Sequence, residues 1–417
     1  MLPPNKYQLD YLANEAGSLL VRLQQVKPFT MTMPMVRGAA VSDKALNAIM
    51  QLLENGKLEL YHSIQAFIKL VGSKKNTPAE AQKFQVRYTL LKLRFNSILD
   101  QLDIFADVLS QRAEHEVGIW LSGLDILAED GLIPGNPLFE LPSLVVFLER
   151  GHGAAIRRAR TRLPGGDLNP VAVIQIPRER MVGSGIASSL VHEVGHQGAA
   201  LLDLITSLRI ALKKKQDQSA NKNAWLHFER WISEIICDFW ATAQLGIAAT
   251  LGLMGVVTLP AYFQFRLDLE DPHPAPYVRV QTSCAFGKRL FPHPQWDRLW
   301  AMWQNFYPLE GLPQEKLELL SELEQEMPDF VELVIQHTNP ALQGNKLIDL
   351  FPVEERQPAV LQRLFRQWKQ DPLLIPQAAP TLVFAVLGQA KSDLLIDAEE
   401  ESRILTQQLR NWAYHRK

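Results

Sequence analysis

The stretch "SSLVHEVGHQGAA", residues 188–200, decides how the rest of the chain is read. Side chains four apart on a helix share a face, one turn from each other. His192 and His196 have this spacing, so both imidazoles would turn toward one point, as two ligands of a zinc ion must. Glu193 stands beside the first histidine, where it reaches water at the metal without binding the metal itself. Zinc lowers the pKa of such a water to about 7, and a carboxylate then takes the proton as the oxygen attacks a carbonyl. Two histidines and a glutamate so arranged are what metal-assisted peptide hydrolysis uses. The letters HEVG also occur at 115–118, but Ile119 follows them in place of a second histidine. No acid-bearing helix completes that copy, which reads as an exposed helical turn.

A catalytic zinc takes three protein ligands and keeps a position for water. The segment "WISEIICDFWA" (231–241) offers the third. Glu234 and Asp238 are four apart; Glu234 is placed as the ligand, and Asp238 as the partner that orients a ligand histidine through its second nitrogen. Among Trp231, Ile235, Ile236, Phe239 and Trp240, such acids need partners. Cys237 is close enough in sequence to be a ligand, but reads better as a small buried thiol.

With HEVGH at 192–196 and EIICD at 234–238, the chain resembles a zincin metallopeptidase of the gluzincin type. In that class HExxH supplies two ligands and the glutamate of an ExxxD segment the third. The resemblance implies zinc at His192, His196 and Glu234, Glu193 as general base, and Asp238 behind a histidine. The segment "DPHPAPYVRV" (271–280) is similar to the histidine–proline…arginine segment of CAAX-processing and HtpX-type zinc peptidases. The matching residues are His273, Pro274 and Arg279. His273 would donate to the developing oxyanion, and Arg279 would brace the glutamate or the substrate end. The resemblance spans roughly residues 140–290. It departs from the membrane enzymes in lacking clear flanking membrane helices, in carrying Ile236-Cys237 before Asp238, and in its large helical flanks.

The expected fold is mainly α with a small β-sheet, a zincin-like α+β core flanked by helical domains. Residues 1–135 form the N-terminal helical domain, 136–293 the metallopeptidase domain and 294–417 a C-terminal helical domain. "LPSLVVFLER" (141–150) and "NPVAVIQIP" (169–177) read as strands, the latter an edge that could pair with an extended peptide. Between them, "GHGAAIRRARTRLPGG" reads as a short basic helix with Arg157, Arg158, Arg160 and Arg162 on a solvated face. From Ser184, a plausible cap, one long helix is expected to reach the lysines at 213–215. His227 reads as a core or surface histidine, and Trp296, Trp300 and Trp303 as helix packing.

The 417 residues carry 43 basic and 45 acidic side chains, a net charge of −2 that gives no pull toward nucleic acid. No phosphate-binding loop, dinucleotide fingerprint or serine-nucleophile elbow occurs. Two cysteines and no secretory leader point to a cytoplasmic protein. The uncharged run 239–265 reads as a buried helix in preference to a membrane span. The expected function is zinc-dependent hydrolysis of a peptide or protein substrate, with the helical flanks restricting the cleft or recruiting a protein partner. The competing expectation is a helical scaffold or regulatory protein with a structural or inactive zinc site.

Overall fold

The computed structural model describes residues 4–73, 78–113, 115–132, 138–150, 153–178 and 183–415. The fold is mainly α with a small β-sheet, as the sequence predicts. The chain forms two compact units, 1–119 with 158–172, and 120–157 with 173–417.

The first unit contains α1 (Pro4–Gln25), the short α2 (Phe29–Thr32), α3 (Asp43–Ser73) and α4 (Pro78–Ser110). Leu9, Leu12, Ala16, Leu19 and Leu23 recur at alternating three and four spacings and give α1 one apolar stripe. It packs on Leu60, Ile64 and Phe67 of α3 and on Phe84, Phe95 and Ile98 of α4. The short basic helix expected over 151–166 is absent from its described residues, 153–166. Arg162 bridges Leu168 in antiparallel fashion, and Gly165 and Gly166, at φ 84° and 96°, reverse the chain between them. Asp167 fixes this turn by accepting from Arg94 Nη1 and Gln101 Nε2, each at 2.8 Å. All four arginines of the basic run are exposed.

The second unit takes in most of α5 (His115–Leu132), then β1 (Ser143–Glu149), β2 (Ala155–Arg157) and most of β3 (Val171–Pro177). The sheet is mixed, in the order β1-β3-β2, with β2 antiparallel to β3. β3 is therefore the buried central strand and not an edge; the short, largely exposed β2 is an edge and packs beside the next helix. That helix, α6 (Gly185–Leu201), carries His192 and His196. The long helix expected here is two, because Asp203 turns left-handed at φ 48° and α7 (Leu204–Gln218) starts anew. Asn339 holds the break from outside, its Nδ2 donating to the Leu202 carbonyl at 2.8 Å.

There follow α8 (Lys222–Leu245), α9 (Ile247–Val257), α10 (Ala261–Gln264), α11 (Pro276–Leu290), α12 (Gln295–Phe306) and α13 (Gln314–Ile335). Short 3₁₀ turns lead to α14 (Pro358–Gln370), α15 (Pro380–Ser392) and α16 (Ala398–His415). The run 239–265 is broken at Gly246 (φ 58°) and Pro260, and among the described residues no helix is long and apolar enough to cross a membrane.

The breaks expected near 135 and 293 do not coincide with the units. The helices after 294 share the core of α8: Phe330 stacks on Phe228 at 4.0 Å, and Phe351 meets Phe239 and Trp240 edge-on. Apolar periodicity marks a buried face but not which core receives it. Trp296 and Trp303 are buried packing residues, as expected.

Ser184 does not cap α6 with its side chain. The cap comes from α16 instead: the Ser184 N–H donates to Glu401 Oε1 at 3.0 Å, and Lys391 Nζ pairs with Glu401 Oε2 at 2.7 Å. An almost fully buried carboxylate at a helix N-terminus satisfies a free N–H and opposes the positive end of the helix dipole. Glu401→Ala is expected to cost about 2 kcal/mol of unfolding free energy, read from urea denaturation, with a smaller loss for Lys391→Ala because that ammonium is half exposed.

Candidate metal centre

α6 and α8 lie against each other, and glycines set how closely. A β-carbon on Gly195 would stand 3.0 Å from Cys237 Cα, and one on Gly198 would clash with the six-membered ring of Trp240. That approach places the 192/196 face of α6 opposite the 234/238 face of α8. His192 Nε2 is 3.3 Å from one Glu234 oxygen and His196 Nε2 is 3.5 Å from the other. Two donor atoms each ~2.1 Å from a tetrahedral metal lie about 3.4 Å apart, so each histidine–Glu234 pair has a ligand-to-ligand spacing, each through a different carboxylate oxygen.

Behind this pair, Asp238 Oδ1 accepts from His192 Nδ1 at 2.8 Å. Arg279 of α11 grips the same carboxylate with two bonds, Nε to Oδ2 at 2.6 Å and Nη2 to Oδ1 at 2.8 Å. With Nδ1 so engaged, Nε2 is the nitrogen turned to the site. Arg279 Nη2 also comes within 3.4 Å of His192 Nε2 and 3.9 Å of Glu234, so a metal here meets a positive charge that Asp238 offsets. The arginine braces Asp238 first and Glu234 only at longer range.

His273 reaches the rim from the loop before α11. It is largely exposed; its Nε2 lies 3.9 Å from Glu234, and its Nδ1 lies 2.9 Å from Asp271. That loop is pinned by Arg230, one turn before Glu234 on α8, which donates to the carbonyls of Leu269 and Glu270 at 2.7 Å each. The sequence reading missed Arg230 and Asp271, although the four-residue spacing of Arg230, Glu234 and Asp238 was there to be seen.

Glu193 is 6% exposed and accepts no hydrogen bond among the described residues. Burial pushes its carboxyl up to about 7, with Glu234 and Asp238 adding and His192 and Arg279 opposing. Burial pulls His192 down, but the charge and hydrogen bond of Asp238 outweigh it and hold the metal-free imidazole at about 9. Burial raises Glu234, yet the neighbouring histidines hold it well below the usual carboxylate range.

Cys237 is the competing donor. Its Sγ lies within 4.8 Å of a donor atom of each histidine. However, the thiol donates to the Ser233 carbonyl at 3.1 Å, and burial with three nearby carboxylates raises its pKa strongly. Glu234 touches both Nε2 atoms and is already ionised, so it is the better third donor. His227 takes no part: it is buried, bonded through Nδ1 to the Asn223 carbonyl and packed on Trp231. In the first HEVG copy Glu116 is exposed, while Gly118 and Ile119 are buried; the His115 side chain lies outside the described residues.

Comparison with known protein families, with characterised proteins and with solved structures finds no match.

Two outcomes test this centre. Below about pH 9 the metal must displace a proton from His192, so affinity for zinc should rise about tenfold per pH unit up to that point and then level, as read by chelator competition. The sign in the metal-free protein is opposite. The raised imidazole pKa contributes stability that is complete below about pH 6.5 and lost as pH climbs through about 9. Separately, Asp238→Asn should weaken zinc binding about 10–100-fold, because His192 loses the carboxylate that orients it.

Proposed function

We propose that this chain is a zinc-dependent peptidase acting on peptide or protein substrates in a reducing, cytoplasmic setting. The observation that carries the proposal is the pairing of Glu234 with both imidazoles beside a buried carboxylate, Glu193, that has no hydrogen bond among the described residues. His192, His196 and Glu234 would hold the ion. A zinc ion in that place supplies Lewis-acid activation of water and of the scissile carbonyl. Glu193, poised at about 7, can take a proton near neutrality and return it to the leaving amine. Asp238 and Arg279 keep His192 aimed. His273 would donate from its imidazole ring to the oxygen that gains charge. An extended substrate would pair with the outer edge of β2, which packs beside α6 and has no second strand partner among the described residues. Both cysteines are free and buried, in keeping with a reducing compartment.

Glu193→Gln should keep zinc at one ion per chain and lose hydrolysis of a mixed peptide library by at least about a hundredfold. His196→Ala should lose both. Cleavage by the glutamine variant at the wild-type rate would sink the mechanism.

The closeness of Cys237 supports a second reading, a scaffold whose zinc is closed by a thiolate. Cys237→Ala separates the two. The peptidase keeps its zinc and activity; a scaffold loses its ion.

A further inference from the structure

A cavity of about 850 Å³ opens in the second unit at the N-terminal end of α6, away from the metal-binding turn. Ile186, Ile247, Leu251, Leu299 and Met302 give it apolar walls. The size falls within the ~300–1,000 Å³ range of small-molecule sites.

Its polar lining is one-sided. Gln295 lines the cavity although it is only 3% exposed. Its orientation is set by a relay. Asp393 can only accept, so Gln389 turns its amide Nε2 toward Asp393 Oδ1, at 3.2 Å, and shares it with Gln295 Oε1, at 2.8 Å. With Oε1 so used, the Gln295 Nε2 group remains, and it has no partner among the described residues. An amide donor left open in the lining can be met by a ligand that accepts. Arg298 also lines the cavity, and its guanidinium makes no hydrogen bond or ion pair among the described residues. Lys391 adds an ammonium that Glu401 already neutralises, and among the described residues no acidic side chain lines the wall. Among the described residues, apart from two serine hydroxyls, which can turn either way, every polar side chain of the lining can donate.

We infer that this cavity binds an apolar monocarboxylate of the fatty-acid type, its carboxylate between Gln295 and Arg298 and its chain along the Ile247–Met302 wall. A donor-only rim suits an acceptor-only head. A peptide carries backbone N–H groups along its length, and those would find few acceptors here. Leu394, 91% exposed at the mouth, adds apolar surface that a bound chain would cover.

The test is calorimetric titration of the full-length protein with decanoate, decanol and acetate below micellar concentrations. Decanoate is expected to bind one per chain, with decanol and acetate each at least about tenfold weaker. Arg298→Gln and Gln295→Leu should each weaken decanoate about tenfold without changing decanol. Gly255 lines the cavity, and a β-carbon there meets nothing within 4 Å. Gly255→Leu should therefore abolish binding while leaving the thermal midpoint unchanged or higher, which keeps the test independent of misfolding. Equal affinity for decanol, undiminished binding by the Gly255→Leu protein, or no decanoate binding at all would overturn the inference. Tighter binding of an apolar carboxy-terminal tripeptide than of decanoate would overturn it in favour of a peptide ligand.

Discussion

The second unit depends on the close approach of α6 to α8. Gly195 and Gly198 leave no room for a side chain between the helices, and Trp240 fills the space that a β-carbon on Gly198 would need. Packed interiors transmit such displacements because they have little free volume. Spreading the helices by the width of a methyl group would carry Glu234 away from both imidazoles and loosen Asp238 from His192. The glycine of HEVG is thus a packing residue, and in the first copy Gly118 has the same part, its β-carbon position lying 2.7 Å from that of Ala39.

On that framework rests a buried charge network whose members make sense only together. Asp238 and Arg279 are each costly to bury alone; joined by two short hydrogen bonds, they neutralise one another and fix the His192 ring. Glu193 is the exception, buried without a hydrogen bond among the described residues, and burial accordingly raises its pKa. Glu234 on α8 is held low and Glu193 on α6 is raised, a split that acid–base chemistry would use on the proposed reading.

Much of this was legible because helical periodicity is local. The spacings 192/196 and 234/238 place each pair on one face whatever the rest of the chain does, and acids among tryptophans and isoleucines announce buried partners. Strands at 141–150 and 169–177 were legible from their Val- and Ile-rich composition. Less could be read where distant residues overrule the local pattern. The helix break at Asp203 depends on Asn339, the cap of α6 on Glu401, and the loop under His273 on Arg230. A short basic helix was expected at 151–166, but strand pairing by β2 and the hold of Arg94 and Gln101 on Asp167 decide that segment otherwise.

The sequence by itself determined which residues could serve a metal, since ligand chemistry and helical spacing are properties of a few adjacent positions. Only the tertiary structure decided which of them meet. It set Glu234 against both histidines, turned the Cys237 thiol to the Ser233 carbonyl, gave Arg279 to Asp238 before Glu234, and brought the C-terminal helices into the core of α8. The reason is physical: an apolar stripe or a buried acid states that a partner is needed, and the choice of partner is made by packing across the whole chain.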